Sequence, residues 1–178
     1  MLRLSIGTYT VLVTSSPDEV RLFESDGAHI QRLACDQDHR SFIAIGLSNG
    51  DPRPGLLVEG WYSPGPSSGF HPGVLIDPTN ELVFLGLGEE AFSFSLDPVG
   101  LIAREEVQCG FWGWSRHGDT VVMSAELEIA GWSPAGNKIW SRFVEPPWSY
   151  QVLGEIIELD VMGTKKSLYL ATGEELAD

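Results

Sequence analysis

Residues 131–136 read GWSPAG, and this short stretch decides the fold because its pattern recurs along the chain. Pro, Ser and Asp favour the early positions of tight turns, and Gly tolerates the positive φ that such turns require. Four other stretches share an apolar strand, polar or Pro residues and a closing glycine: LFESDG (22–27), GWYSPG (60–65), FSLDPVG (94–100) and YLATG (169–173). The five glycines (Gly27, Gly65, Gly100, Gly136 and Gly173) predict five repeats of about 37 residues.

Each repeat contains up to four short stretches rich in Val, Ile, Leu and aromatic residues, separated by polar turns, which is typical of β-strands. Sustained helical periodicity is absent from the sequence. Residues 1–178 are therefore predicted to form one all-β domain of antiparallel hairpin units. Four-stranded units in series build β-propellers. We expect a small five-bladed propeller-like fold, with a β-sandwich or an irregular barrel as the alternative.

Three stretches resemble a known repeat family. AGNKIW (135–140) resembles the end of pyrroloquinoline-quinone-type propeller repeats, and VLIDPTNELVFLG (74–86) and LACDQDHRSFIAIG (33–46) are similar to the first two strands of many propeller blades. This resemblance implies a propeller-like fold. It does not imply the quinone, because the active-site motifs of those larger enzymes are not found, and we expect no cofactor.

Two places in the sequence depart from the pattern of a regular ring of repeats. PSSGFHPG (66–73) is loop-like where an outer strand is expected, and few residues follow Gly173. Leu2–Ile6 could complete either the first or the last unit. If neither closes, an open sheet edge remains, and such edges pair with other chains. The sequence thus predicts a homo-oligomer formed through that edge.

The charge of the chain narrows the classes of partner. Lys and Arg total 11 against 25 Asp and Glu, which gives a formal charge of −14. Nucleic acids and anionic membranes require clustered cations, so neither is expected to bind. An acidic surface would instead steer a basic protein. The spacing of Cys35 and Cys109 does not indicate a disulfide or a zinc site, and the N-terminus lacks the pattern of a signal peptide. A cytoplasmic protein with free thiols is therefore expected.

Catalytic and metal-binding motifs are weak. The densest set of metal-ligating residue types is CDQDHR (35–40), which we interpret as a turn, and no metal site is predicted. The carboxylates of Glu126, Glu128 and Glu145 could provide the catalytic pair of a hydrolase. Glu126 and Glu128 would share one face if they lay in a continuous strand. A solvated hairpin turn is the other interpretation.

The six tryptophans divide into two groups. Trp61 and Trp132 precede their repeat glycines equivalently, which predicts packing between neighbouring blades, and Trp140 fits the same role. Trp112, Trp114 and Trp148 lie in the linkers between units. In a propeller, these linkers share one face with the loops joining second and third strands. That face would gather five predicted binding residues: Arg53, His71, Trp112, Glu145 and Trp148. Buried packing of the same aromatic residues is the alternative.

The leading functional hypothesis is a non-enzymatic interaction module that binds a protein partner through this face, such as a basic toxin or nuclease that it would inhibit. Aromatic residues and Arg dominate binding hot spots. A carbohydrate-binding module that uses Trp112 and Trp148 is the second hypothesis, and the paired-carboxylate hydrolase is the third.

Overall fold

The computed structural model describes residues 1–21, 29–33, 41–50, 54–62 and 71–176. Its described residues form sixteen strands and one short helix. In chain order they are β1 (Leu2–Ile6), β2 (Tyr9–Thr14), α1 (Pro17–Val20), β3 (His29–Leu33), β4 (Ser41–Asn49), β5 (Leu56–Tyr62), β6 (Gly73–Asp77), β7 (Leu82–Leu87), β8 (Glu90–Leu96), β9 (Val99–Glu106), β10 (Phe111–His117), β11 (Thr120–Ala125), β12 (Glu128–Trp132), β13 (Lys138–Phe143), β14 (Trp148–Leu153), β15 (Ile156–Val161) and β16 (Thr164–Tyr169).

The strands form four sheets, which we number along the chain. Sheet 1 has the strand order β1-β2-β4-β5-β3, and sheets 2, 3 and 4 are the antiparallel meanders β6–β9, β10–β13 and β14–β16. The all-β, propeller-like prediction is confirmed. The described residues give four sheets instead of five units, because the first two predicted units contribute strands to one sheet.

The sheets pack face to face in sequence order, with an apolar layer between each neighbouring pair. Phe92 and Phe94 of sheet 2 meet sheet 1, whereas Phe84 on the other face of sheet 2 meets Trp132 of sheet 3. Ile129 of sheet 3 packs with Ile157 of sheet 4. Because strand side chains alternate between faces, each middle sheet supplies both of its faces to the core.

Sheet 1 departs from the repeat in two ways. Its strands β3 and β5 pair in parallel, with Arg32 opposite Glu59, although only antiparallel pairs were predicted. The helix α1 covers the face that points away from sheet 2, where Val20, Ala44 and Leu57 are buried together. Leu2–Ile6 pairs with β2, so this segment belongs to sheet 1 and does not complete sheet 4.

The repeat glycines are not equivalent. Gly136 and Gly173 have φ of 83° and 66°, as a glycine-dependent turn requires. Gly100 lies inside β9 opposite Ser95 and is outside the positive-φ set. Its glycine is therefore not required by backbone conformation. Gly27 and Gly65 lie outside the described residues.

Candidate functional site

One end of sheets 2, 3 and 4 forms a common face. The first residues of the inner strands, Gly73, Phe111 and Trp148, pair with Gly86, Ala125 and Val161 at the ends of the second strands. The turns between second and third strands, and the linkers between sheets, therefore lie at this same end. We call it the loop face and define it by residues 71–73, 87–90, 107–112, 125–128, 144–148 and 161–164.

A stacked tryptophan pair lies on the loop face. The rings of Trp112 and Trp148 are 5.1 Å apart between centroids, with planes inclined by 22°. Trp148 is only 8% exposed, and its indole N–H donates to the carbonyl oxygen of Glu126 at 2.9 Å. Trp112 is 40% exposed. The buried ring thus supports the exposed one and fixes its orientation.

The start of β10 is anchored by aromatic–glycine packing. The ring of Phe111 is fully buried against the backbone of Gly73 and Gly86, where an added Cβ would clash with it. The Phe111 N–H also donates to the Gly88 carbonyl at 2.7 Å, which joins sheet 3 to a turn of sheet 2. Trp112 therefore projects from a backbone that two sheets hold in place.

The other predicted binding residues have different placements. Glu145 is exposed in the linker that precedes Trp148, and His71 is exposed two residues before Gly73. Arg53 lies outside the described residues. The structure thus brings Trp112 and Trp148 into contact and places His71 and Glu145 on the same face. The carbohydrate hypothesis required two exposed tryptophans, and Trp148 is not exposed.

Two exposed residues of the loop face were not among the five predicted binding residues. Cys109 and Met162 occupy turn positions with φ of 61° and 53°, a conformation that glycine usually supplies. Both side chains are exposed, and Met162 follows the strand that pairs with Trp148. The only sequence signal for these turns is a glycine immediately after each residue, and it does not reveal that the preceding residue is left-handed.

The loop face carries negative charge. Its defined ranges contain Glu89, Glu90, Glu126, Glu128 and Glu145, and they contain no Lys or Arg. Two of these acids have partners within the fold: Glu90 pairs with Arg104, and Glu128 accepts from the Ser141 hydroxyl. Glu89 and Glu145 are exposed beside the linkers, so an incoming group meets carboxylates around an aromatic centre.

The predicted carboxylate pair is not arranged on one strand face. Glu126 lies in the turn between β11 and β12, whereas Glu128 begins β12 and is 1% exposed. Glu128 accepts hydrogen bonds from the Ser141 hydroxyl at 2.8 Å and the Gln108 N–H at 3.2 Å, and Lys138 lies 3.6 Å away. Through these contacts Glu128 links β12 to β13 and to the linker between β9 and β10. A shared face required a continuous strand, and the strand breaks between Glu126 and Glu128, so this condition is not met.

Trp61 contradicts the prediction of blade packing, whereas Trp132 agrees with it. Trp132 is fully buried, but Trp61 is 47% exposed with its ring edge against Phe42. Trp61 points away from sheet 2, on a face that no other sheet covers in the described structure.

Across the described ranges, we find no group of three His, Cys, Asp or Glu arranged to hold a metal. CDQDHR (35–40) lies outside those ranges. Within them, no helix has both the length and the apolar character needed to cross a membrane.

Comparisons with known proteins support the fold. No family model and no curated sequence matches the chain. BamB from Moraxella catarrhalis matches over 99% of this chain and 51% of its own, with 11% identity and a TM-score of 0.50. The β-propeller domain of Cps50 (Swd1) from Myceliophteria thermophila matches over 62% of this chain and 38% of its own, with 11% identity and a TM-score of 0.44. The Neurospora crassa Pan2 WD40 domain matches over 62% of this chain and 38% of its own, with 16% identity and a TM-score of 0.41. The chain thus spans about half the length of BamB and resembles it as a propeller-like fold.

Proposed function

We propose that this chain is a non-enzymatic interaction module that binds a basic protein through the loop face. The observation that carries the proposal is the Trp112–Trp148 pair, in which a buried ring supports a partly exposed one. A rigid aromatic anchor loses little conformational entropy on binding, and such residues are enriched at hot spots.

The charge of the loop face supports a basic partner. With exposed Glu89 and Glu145 and no Lys or Arg in its ranges, it complements a surface that combines Lys or Arg with an apolar side chain. A basic toxin or nuclease that the module inhibits has this chemistry. A cytoplasmic location is part of the proposal, since the exposed thiol of Cys109 suits a reducing compartment.

The test begins with affinity capture by the wild type, Trp112→Ala and the control Ile139→Ala, which removes an exposed apolar side chain at the end of β13 away from the loop face. A partner retained by the wild type and control but lost by Trp112→Ala is then purified and titrated calorimetrically. We expect Trp112→Ala to weaken binding on the order of 30-fold, and Glu145→Lys to weaken it and reduce its dependence on salt.

Two results contradict the proposal. One is a captured partner whose affinity is the same for the wild type, Trp112→Ala and Glu145→Lys. The other is saturable quenching of tryptophan fluorescence by neutral oligosaccharides that is lost in Trp112→Ala, which assigns the loop face to carbohydrate instead.

A further inference from the structure

We propose that a second copy of this chain covers the outer face of sheet 1 with the outer face of its sheet 4, in a head-to-tail contact. This surface is distinct from the loop face. The contact joins sheet faces, whereas the sequence predicted pairing through an open edge.

Trp61, Phe94, Trp132 and Leu168 occupy the same place in the four sheets. Phe94, Trp132 and Leu168 lie on the third strands of their sheets, and Trp61 lies on β5 of sheet 1. Each pairs with the second residue of the strand that precedes its own in the sheet order. Phe94, Trp132 and Leu168 face the preceding sheet and are buried by it. Trp61 faces the same way, but sheet 1 has no preceding sheet among the described residues, and the ring remains 47% exposed. The repeat thus indicates what covers such a position: the outer face of another sheet.

The surface around Trp61 forms a groove. Pro17 and Val20 of α1, Phe42, Arg32 and Glu59 line a cavity of about 280 Å³ beside the indole. The helix already covers Ala44 and Leu57 on the same face. Because α1 occupies part of this face, a second copy could contact less area here than the sheets bury between one another. A smaller contact area favours a concentration-dependent dimer over an obligate one.

Sheet 4 exposes the complementary face at the opposite end of the stack. Leu153, Ile156 and Tyr169 form a cross-strand row on its outer side, and both Leu153 and Tyr169 are exposed. This row lies at the strand ends away from the loop face, the same level as Phe42 and Trp61 in sheet 1. The two apolar rows would meet if the outer faces were brought together.

Charge supports the same pairing. Phe84, the residue of sheet 2 that contacts Trp132, has Glu158 as its counterpart in sheet 4, two positions into the second strand. The Trp61 groove is lined by Arg21 and by Arg32, whose guanidinium also pairs with Glu59 of the same groove. An acid therefore replaces an aromatic residue where the proposed opposing surface carries guanidinium groups, and Arg–carboxylate pairs suit interfaces.

The size of the arc agrees with two copies. Nearly all of this chain, 99%, matches 51% of the BamB chain, so a ring of that size takes about two such arcs. A head-to-tail contact is heterologous, and it closes when the rotation between the copies completes the circle.

The test is the mass of the chain in solution between about 5 and 500 µM, a range that brackets weak specific association. We expect the mass to rise from 19.5 kDa toward twice that value. Trp61→Asp and Tyr169→Asp should each raise the dissociation constant on the order of 30-fold or more. Phe143→Asp, an equally drastic change at an exposed aromatic residue elsewhere, should leave it unchanged.

Mixing the two impaired variants gives the sharpest result. A Trp61→Asp copy retains its sheet 4 face and a Tyr169→Asp copy retains its sheet 1 face, so the mixture should form heterodimers with one intact contact. A mass of 19.5 kDa at every concentration overturns the proposal, as does a dimer insensitive to both variants or a mixture that stays monomeric. Thermal melts like that of the wild type establish that the variants are folded. Loss of partner binding at the loop face would leave these results unaffected.

Discussion

Sheets 1 and 3 contain the same repeat motif, but the tryptophan of the motif has different surroundings in the two sheets. GWYSPG (60–65) and GWSPAG (131–136) both place a tryptophan near the end of a strand, which is β5 in sheet 1 and β12 in sheet 3. In sheet 3 this residue is enclosed between Phe84 and Trp114, whereas in sheet 1 its one aromatic contact among the described residues is the ring edge of Phe42. The two tryptophans occupy equivalent strands, but a sheet packs against Trp132 and no sheet of the described structure packs against Trp61. Burial in a stack of sheets is therefore set by position in the stack as much as by local sequence.

The largest effect that separates the two sheets is expected from truncating each tryptophan. Trp132→Ala should lower the free energy of unfolding by about 3–5 kcal/mol, because it opens a cavity among fully buried rings. Trp61→Ala should cost about 1 kcal/mol or less in the monomer, since half the side chain is already in water. Urea unfolding at low protein concentration measures both, and equal losses would contradict the difference between the two sheets.

The repeat glycines provide the next contrast. Gly136→Ala should cost about 1–3 kcal/mol, because its φ is 83° and an added Cβ would lie 2.9 Å from Ile102 Cδ1. Gly100→Ala is the matched control: its φ is not positive and the space around it is open, so its stability should be unchanged or slightly raised. Denaturant midpoints compare the two variants. A loss at Gly100 equal to that at Gly136 would mean that both turns depend on glycine in the same way.

An effect of the same size is expected at the contact between sheets 2 and 3. Gly86→Ala should displace the Phe111 ring and cost about 1–3 kcal/mol by overpacking. Because Phe111 precedes Trp112, the same variant should change the emission of the loop-face tryptophans. Gly113→Ala, where the nearest side-chain atom would be 3.8 Å away, is the control. Unchanged fluorescence in Gly86→Ala would show that the anchor does not position Trp112.

The smallest effect concerns a polar contact between sheets 3 and 4. His117 Nε2 lies 3.0 Å from the Ser115 hydroxyl, which lies 2.8 Å from the Tyr150 hydroxyl. Burial lowers the pKa of His117 below its ordinary value of 6.5. The unfolded chain then binds the proton more readily, so this contribution to stability is present above pH 6.5 and is lost as the pH falls through the lowered pKa. His117→Asn should flatten that part of the stability–pH curve, and an identical curve for the variant would contradict the assignment.

The sequence predicted the repeated strands because alternation and turn residues are local signals. GWSPAG and YLATG mark turns whose glycines do have positive φ. Local signals could not show that β3 pairs in parallel with β5, since that contact joins segments 27 residues apart and depends on what lies between them. Local signals also could not show that Trp61 is exposed, because its exposure depends on whether another sheet packs against this face of sheet 1, and none does in the described structure.

The candidate site was predicted in part for the same reason. Linkers and turns at one end of each sheet follow from the strand count, so Trp112 and Trp148 could be placed on one face. Which ring is buried depends on the turn at Glu126, whose carbonyl accepts the Trp148 N–H. Glu128 was misassigned because its partners Gln108 and Ser141 come from neighbouring segments that no local pattern identifies.

Hydroxyl-radical footprinting read by mass spectrometry, at a concentration where the chain is monomeric, tests the central claim most directly. The structure predicts rapid oxidation of Trp61 and Trp112 and protection of Trp132 and Trp148, since only the first two rings are substantially exposed. Equal protection of Trp61 and Trp132, or rapid oxidation of Trp148, would contradict the stack of four sheets and the supported tryptophan pair on its loop face.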